Sequence, residues 1–261
     1  MIPKKIHYCW FGGNPLDETS RKCISSWGKY FPDYEIIQWN EDNFDISQIE
    51  FMQKAYDEKK WAFVSDVARL LIIYEHGGFY FDTDVEVIRT FDDILEQSPD
   101  GYLAYEKLNC VSTGLGFGMP PKHPLLEELI ELYRDLDFDT YKNRLSEIAC
   151  PILTTTLLQR QGYVPEDRMQ RIRGLDVYPS EYFSPIDYET GKMLKTGRTH
   201  SIHWYNASWN DVQEKKYRHL EQKCMQFLGK RLGSVTAGIV HCIRREGLVC
   251  YLRRRLLRVK R

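Results

Sequence analysis

Asp82 and Asp84 stand two residues apart at the end of a short aromatic run, Phe79-Tyr80-Phe81. On an extended segment, residues i and i+2 project to the same side, which would hold the two carboxylates a few ångströms apart. Like charges at that separation repel unless a cation sits between them. Oxygen ligands of this kind suit Mg²⁺ or Mn²⁺, ions that hold substrate phosphates through one or two protein carboxylates. A bare Asp-x-Asp is also what a solvated acidic loop looks like. The setting separates the two possibilities. A buried aromatic strand delivers the pair, and upstream Asp66 and Arg69 share one face of a predicted helix. These two form either a surface ion bridge of little energetic value or a polar grip on a ligand lying across the strand ends.

The elements that must position these groups surround them. Phe63, Val67, Leu70, Leu71 and Tyr74 recur at three-to-four spacing, which predicts a helix with one buried stripe. His76 in its last turn and Gly77-Gly78 after it predict where it stops. Before it, Ile6–Trp10 reads as a first strand, and Asp17 as the cap of a helix to about Lys29 that buries Cys23, Ile24 and Trp27. A second strand, Tyr34–Trp39, leads into a polar turn at Asn40–Asn43, and residues 48–58 read as another helix. The alternation predicts an α/β fold with parallel pairing and right-handed crossovers. After the Asp pair, Val85–Ile88 continues extended, Tyr102–Tyr105 is a strand, and helices are expected from His123 to about Asp135 and from Pro151 to Gln161. Gly114, Gly116 and Gly118 match neither a P-loop nor a G-x-G-x-x-G spacing and are expected to let backbone approach a ligand. His123 is expected to be structural. Trp10 stands at the carboxyl end of its strand, where ligands gather in open α/β sheets; an ordinary core tryptophan is the alternative.

Ser65-Asp66-x-x-Arg69 followed by Tyr74-x-x-Gly77-Gly78-x-Tyr80-x-Asp82-x-Asp84 resembles the DXD-type sugar transferases of glycosyltransferase family 32. That group includes bacterial capsular-polysaccharide transferases and yeast mannosyltransferases, and the large clostridial glucosylating toxins share its core pattern. The resemblance extends to the opening Ile6-His7-x-x-Trp10-x-Gly12-Gly13 and to the closing Thr199-x-x-Ile202-His203-x-x-x-x-Ser208-Trp209, and so covers residues 2 to about 209. It implies a GT-A type, Rossmann-like nucleotide-binding domain with a mainly parallel sheet over residues 1–211, followed by a C-terminal helical extension over 212–261. It further implies a retaining transferase that moves a hexose from a UDP- or GDP-linked donor to a glycan or lipid-linked glycan, as in capsular polysaccharide synthesis. By resemblance Asp82, Asp84 and His203 would hold Mn²⁺ or Mg²⁺, and Arg69 with Asp66 would orient sugar and ribose. Trp10 would stack on the base, Asn43 would contact the ribose (a simple turn-forming Asn is the alternative), and Ser208 and Trp209 would belong to a loop over the donor.

Two rivals belong to other classes. A phosphohydrolase of the haloacid-dehalogenase kind also places Asp-x-Asp at a strand end with Mg²⁺, but on its first strand, whereas here two strands precede the pair. A non-catalytic sugar-binding module would not require the intact Asp82 and Asp84.

The remaining composition bears on location and partners. Seven scattered cysteines without a C-x-x-C pair predict neither a disulfide framework nor a zinc site, and with no apolar leader a cytoplasmic location is expected. Residues 212–261 carry 14 Lys and Arg against 3 Glu, a balance of +11, while residues 1–211 carry −12. The acidic body argues against nucleic-acid binding. Within the basic tail, residues 212–232 read as a charged helix packing on the body through Tyr217, Leu220, Cys224, Phe227 and Leu228. Beyond Gly233, aliphatics from Ile239 to Leu257 alternate with arginines from Arg244 to Arg258, the pattern of a helix in a membrane interface. An anionic membrane surface, on the inner face of the plasma membrane, is the partner expected for residues 233–261; a solvated helix pair or a dimer contact is the alternative.

Overall fold

The computed structural model describes residues 1–106, 109–206 and 212–246. They divide into a main unit, residues 1–186 with 194–206, and a smaller unit formed by the described residues of 187–193 and 212–246.

In chain order the main unit runs β1 (Lys5–Cys9), α1 (Glu18–Tyr30), β2 (Glu35–Trp39), α2 (Glu50–Asp57), α3 (Trp61–His76), β3 (Gly78–Tyr80) and β4 (Val85–Val87). It continues with α4 (Asp92–Gln97), β5 (Tyr102–Glu106), β6 (Cys110–Ser112), β7 (Phe117–Met119), α5 (Pro124–Asp135), α6 (Phe138–Tyr141) and α7 (Cys150–Gln159). The last elements are β8 (Gln170–Ile172), β9 (Leu175–Tyr178), α8 (Ser180–Phe183) and β10 (Ser201–His203). The α/β class expected from the alternation holds. Asp17 caps α1 by accepting from the Ser20 amide at 2.7 Å, as expected, and the structural role of His123 is to cap α5 through the Leu125 amide at 3.2 Å.

The main sheet has the order β2-β1-β3-β7-β5-β9-β8, with β6 beside β5. Strands β2, β1 and β3 pair in parallel, with Ile6 opposite Ile36 on one side and Phe79 on the other. Beyond β3 the sheet becomes mixed, because β7 inserts antiparallel between β3 and β5 while β5 and β9 run parallel. Since β7 opposes both neighbours, β3 and β5 point the same way and end on the same sheet edge. The glycines before and within β7 make this insertion possible. A Cβ on Gly118 would lie 2.9 Å from the Phe79 ring, and one on Gly116, whose φ is +111°, 2.6 Å from the Phe81 ring. These two therefore seat aromatic side chains of the chain itself, a correction to the expectation that they admit a ligand.

Helix α3 spans the predicted stretch and ends at Gly77, whose φ is +62°. It packs against β1 and β3 on one side and against α2, α5 and α7 on the other. Its buried face is wider than the predicted stripe and includes Val64, Val67, Ala68, Leu70, Ile72 and Ile73, whereas Phe63, Leu71 and Tyr74 are only partly covered. The opposite face of the sheet carries an aromatic cluster of Trp27, Phe31, Phe79, Phe81, Phe91, Tyr102 and Phe183. Its T-shaped and tilted ring pairs, such as Phe31–Phe91 at 5.2 Å, add about 0.5–1.5 kcal/mol each beyond area burial. The residues after Phe81 leave the main sheet by a turn, closed by the Val85 amide donating to the Asp82 carbonyl at 3.0 Å. Strand β4 then pairs antiparallel with β10 in a separate two-stranded ribbon.

The smaller unit is dominated by α9 (Val212–Glu246), which is interrupted by Gly229 at φ 76°. The chain folds back there. The Tyr217 and His241 rings meet at 4.5 Å, and Ser234 Oγ donates to Glu221 at 2.8 Å. The break thus falls at Gly229 and not at Gly233, because Gly233 is needed at the crossing, where a Cβ would come within 2.4 Å of the Met225 backbone. Phe227 and Leu228 are 86 % and 48 % exposed beside the reversal.

Candidate active site

Asp82 emerges at the carboxyl end of β3 and Asp84 two residues on, inside the turn that leads to β4. The pair thus converges across a turn and not along an extended segment, because β4 must leave the sheet to meet β10. That meeting brings in His203, the last residue of β10. One ligand atom from each of Asp82, Asp84 and His203 can be chosen so that all lie within 4.8 Å of one another. His203 Nε2 lies 3.1 Å from Asp84 Oδ1, and its Nδ1 is buried without a hydrogen-bond partner among the described residues.

From the helix side, Arg69 reaches the same cluster. Its Nη2 lies 2.9 Å from Asp82 Oδ1 and 3.2 Å from Asp66 Oδ1, and its Nε donates to the Ser65 carbonyl at 3.1 Å. The guanidinium stacks over the Tyr80 ring at 4.8 Å. Asp66 also accepts from the Cys150 amide at 3.1 Å, and Arg69 Nη1 approaches Thr113 Oγ1 at 3.4 Å. Asp66 and Arg69 are 8 % and 5 % exposed, so they are not a solvated surface bridge. Gly114 belongs to the site as well. A Cβ there would fall 2.2 Å from Asp82 Oδ2, so only glycine leaves room for this carboxylate.

The electrostatics follow from burial. Burial together with Asp84 lifts Asp82 to about 6 against the opposing pull of Arg69. Burial alone would raise Asp84, but His203 and the Asn206 amide hold it below the usual carboxylate range. Burial alone would lower His203; Asp84, Glu106 and Asp82 instead raise it to about 9. The raise registers how much the neighbouring carboxylates favour positive charge at this place. Two carboxylates and an imidazole are also a donor set suited to Mn²⁺ or Mg²⁺, so these residues fit a divalent ion.

The other expected site residues stand as follows. Trp10 follows β1 directly, is partly buried, and donates from Nε1 to the Asn14 carbonyl at 2.6 Å. Asn43 is exposed, and its amide closes its own turn, accepting from the Asn40 amide at 2.9 Å and donating to the Gln38 carbonyl at 2.9 Å. Ser208 and Trp209 lie outside the described residues. Sequence reasoning missed Glu106, Tyr205 and Asn206. Glu106 ends β5 on the same edge as Asp82, and a charged residue closing an apolar strand was the signal available for it. A cavity of about 480 Å³ between α3 and α5 includes Tyr74, Glu75, Glu127 and Arg134. Glu75 pairs there with Lys122 and Glu127 accepts from Tyr74, contacts open to solvent, whereas the buried carboxylates gather at Asp82.

Residues 17–99, which hold Asp66, Arg69, Asp82 and Asp84, match the family described as glycosyltransferase sugar-binding region containing DXD motif. This stretch is similar to a DXD-type glycosyltransferase region. Over 102 residues the chain is 32 % identical to inositol phosphoceramide mannosyltransferase 3 of Schizosaccharomyces pombe, covering 36 % of this chain and 27 % of that protein. Over 75 residues it is 39 % identical to alpha-1,4-N-acetylglucosaminyltransferase of Homo sapiens, covering 28 % of this chain and 20 % of that protein. The matches thus span about a quarter and a fifth of those relatives. A solved structure described as PaToxG glycosyltransferase aligns over 62 % of this chain and 69 % of its own, at 16 % identity and a TM-score of 0.49.

Proposed function

We propose that this chain is a retaining glycosyltransferase of GT-A type, with residues 1–211 as its catalytic domain, transferring a hexose from a nucleotide-diphosphate sugar to a glycan hydroxyl. The observation that carries this is the convergence of Asp82, Asp84 and His203 beside the buried Asp66–Arg69 pair. Asp84, Asp82 and His203 would hold Mn²⁺ or Mg²⁺, and the bound ion supplies Lewis-acid stabilisation of the departing diphosphate. Arg69, fixed by Asp66, Asp82 and the Tyr80 ring, presents a permanently charged donor that orients the sugar and phosphates at no reorganisation cost. Trp10 offers its partly exposed ring to the UDP or GDP base. Asn43 keeps its turn closed and borders the ribose. The anomeric carbon loses its bond to the diphosphate oxygen as the acceptor oxygen attacks from the same face, and the acceptor proton passes to the departing phosphate. No side chain is assigned as a covalent nucleophile.

A capsule-type, lipid-linked acceptor would place the protein at the inner leaflet, with residues 233–261 on anionic lipid. The tail's balance of +11 supports this, at about 1 kcal/mol per basic residue near the surface. Residues 247–261 lie outside the described residues. Among the described residues no helix is long and apolar enough to cross a membrane.

The test is a panel of UDP- and GDP-sugars assayed for release of nucleoside diphosphate with Mn²⁺. Metal-dependent release from one sugar class is expected. Turnover unchanged in excess EDTA would overturn the metal role, and hydrolysis of simple phosphoesters without any sugar-nucleotide requirement would choose the phosphohydrolase instead.

A further inference from the structure

Glu106 is a buried carboxylate that no step above uses. It closes β5 on the sheet edge where Asp82 emerges, is 6 % exposed, and lies against the hydroxyls of Tyr205 and Ser112, which partly offset the effect of burial on its acidity. The Ser112 hydroxyl in turn accepts from the Gly114 amide at 3.3 Å. Tyr205 has φ +52°, in the left-handed region that bulky residues rarely enter. Such a backbone persists only where its surroundings over-determine it, and it clusters at functional sites. Here the restraint is visible: besides Glu106, the Tyr205 hydroxyl meets Ser184 Oγ at 2.7 Å, and its ring lies 4.2 Å from the His203 ring.

The residues flanking Tyr205 are tied to Asp84. The Trp204 amide donates to the Asp84 carbonyl at 3.0 Å, and the Asn206 amide donates to Asp84 Oδ2 at 2.8 Å. Asn206 Nδ2 donates to Asp17 Oδ2 at 2.9 Å, joining the strap to the cap of α1. Residues 204–206 thus wrap one acidic member of the cluster, and the residue just before them is its histidine. Glu106 is not among the three grouped ligand residues. Its reach to the cluster runs through Tyr205, whose conformation sets both the His203 ring and the Asn206 amide.

We propose that Glu106 and Tyr205 form a positioning pair that holds the 204–206 strap, and through it His203 and Asp84, in the geometry that binds the divalent cation. This rests on the cluster being a cation site. Partners of this outer kind typically carry tenfold to hundredfold in metal affinity.

The test titrates the full chain with Mn²⁺ alone, following the electron paramagnetic resonance signal of free Mn²⁺, for wild type, Tyr205→Phe and Glu106→Gln. Thermal melting without metal is measured alongside. Each variant is expected to bind Mn²⁺ about tenfold to hundredfold more weakly while its metal-free melting stays close to wild type. The double variant should be little worse than either single one, since the two act as a unit. Wild-type uptake matched by both folded variants would overturn the positioning role and leave the cation site standing. A wild type that takes up no Mn²⁺ would overturn the cation site and this role with it. Should Glu106→Gln fail to fold, Tyr205→Phe decides alone, because it keeps the ring and removes only the hydroxyl.

Discussion

Two parts of the main unit gather carboxylates around one basic side chain, with opposite consequences. On the surface, Lys54 faces Glu50 at 2.9 Å, Asp139 at 2.9 Å and Asp137 at 3.5 Å. In the site, Arg69 faces Asp66 and Asp82, with Asp84 and Glu106 close behind. The ratio of charges is similar, but water screens the first group and not the second. Exposed pairs of this kind contribute little, because solvent competes and two flexible side chains must be immobilised. In the buried group there is no solvent outlet, so burial together with Asp84 lifts Asp82, and the neighbouring carboxylates raise His203 against the opposing effect of burial. An imbalance of charge thus points to function only where burial prevents its relief.

The sharpest break of this comparison is Asp84→Asn, which should lower turnover by about a hundredfold or more, in line with loss of an electrostatic group acting on the leaving charge. Nucleoside-diphosphate release under saturating donor and Mn²⁺ measures it, and near-wild-type turnover in a folded variant would dismiss the cluster as catalytic. Gly114→Ala should approach the same loss by steric means, since its Cβ would collide with Asp82 Oδ2; in this variant circular dichroism should show the fold retained.

A smaller effect is expected at Trp10→Ala, where lost stacking of about 1–3 kcal/mol weakens donor binding by about tenfold to a hundredfold. Calorimetric titration of nucleoside diphosphate reads this directly, and unchanged affinity would return Trp10 to a packing role.

Burial without charge balance can also be read through pH at a place remote from catalysis. His7 is fully buried; its Nδ1 accepts from Trp39 Nε1 at 3.0 Å and its Nε2 donates to the Gly77 carbonyl at 3.0 Å, the pattern of a neutral imidazole. Burial lowers its pKa from 6.5 to about 4. Between those values the unfolded chain takes up a proton that the folded one refuses. This contribution to stability is therefore complete above pH 6.5 and falls as pH drops towards 4, by about 1.4 kcal/mol per pH unit. Urea denaturation at pH 7, 6 and 5 should show the wild type losing more stability than His7→Gln, which preserves an acceptor and a donor. Identical slopes would mean that His7 titrates normally.

The smallest effect belongs to Lys54→Met. Melting and turnover should both stay at wild-type values, and a clear loss in either would show that exposure does not neutralise a surface cluster as argued.

Much of the local design was legible in the residues. Three-to-four spacing located α3, Gly77 marked its end, Asp17 was a recognisable cap and His123 a structural residue at a helix start, and β2-β1-β3 pair in parallel as the alternation required. The composite motif also named Asp66, Arg69, Asp82 and Asp84, and the closing pattern His203, before any geometry was known. Periodicity reports which side of an element is buried, and motifs report which side chains carry charge. Neither states which distant element becomes the neighbour. That was decided by tertiary structure. The antiparallel insertion of β7 turned three glycines from supposed ligand contacts into seats for Phe79, Phe81 and Asp82. The β4–β10 ribbon brought His203 to Asp84 across more than a hundred residues of chain. Glu106, Tyr205 and Asn206 acquire meaning only from that ribbon and from the shared edge of β3 and β5. Their contacts join segments far apart in sequence, and such contacts form when the whole core closes around them and excludes the water that would otherwise solvate each group separately.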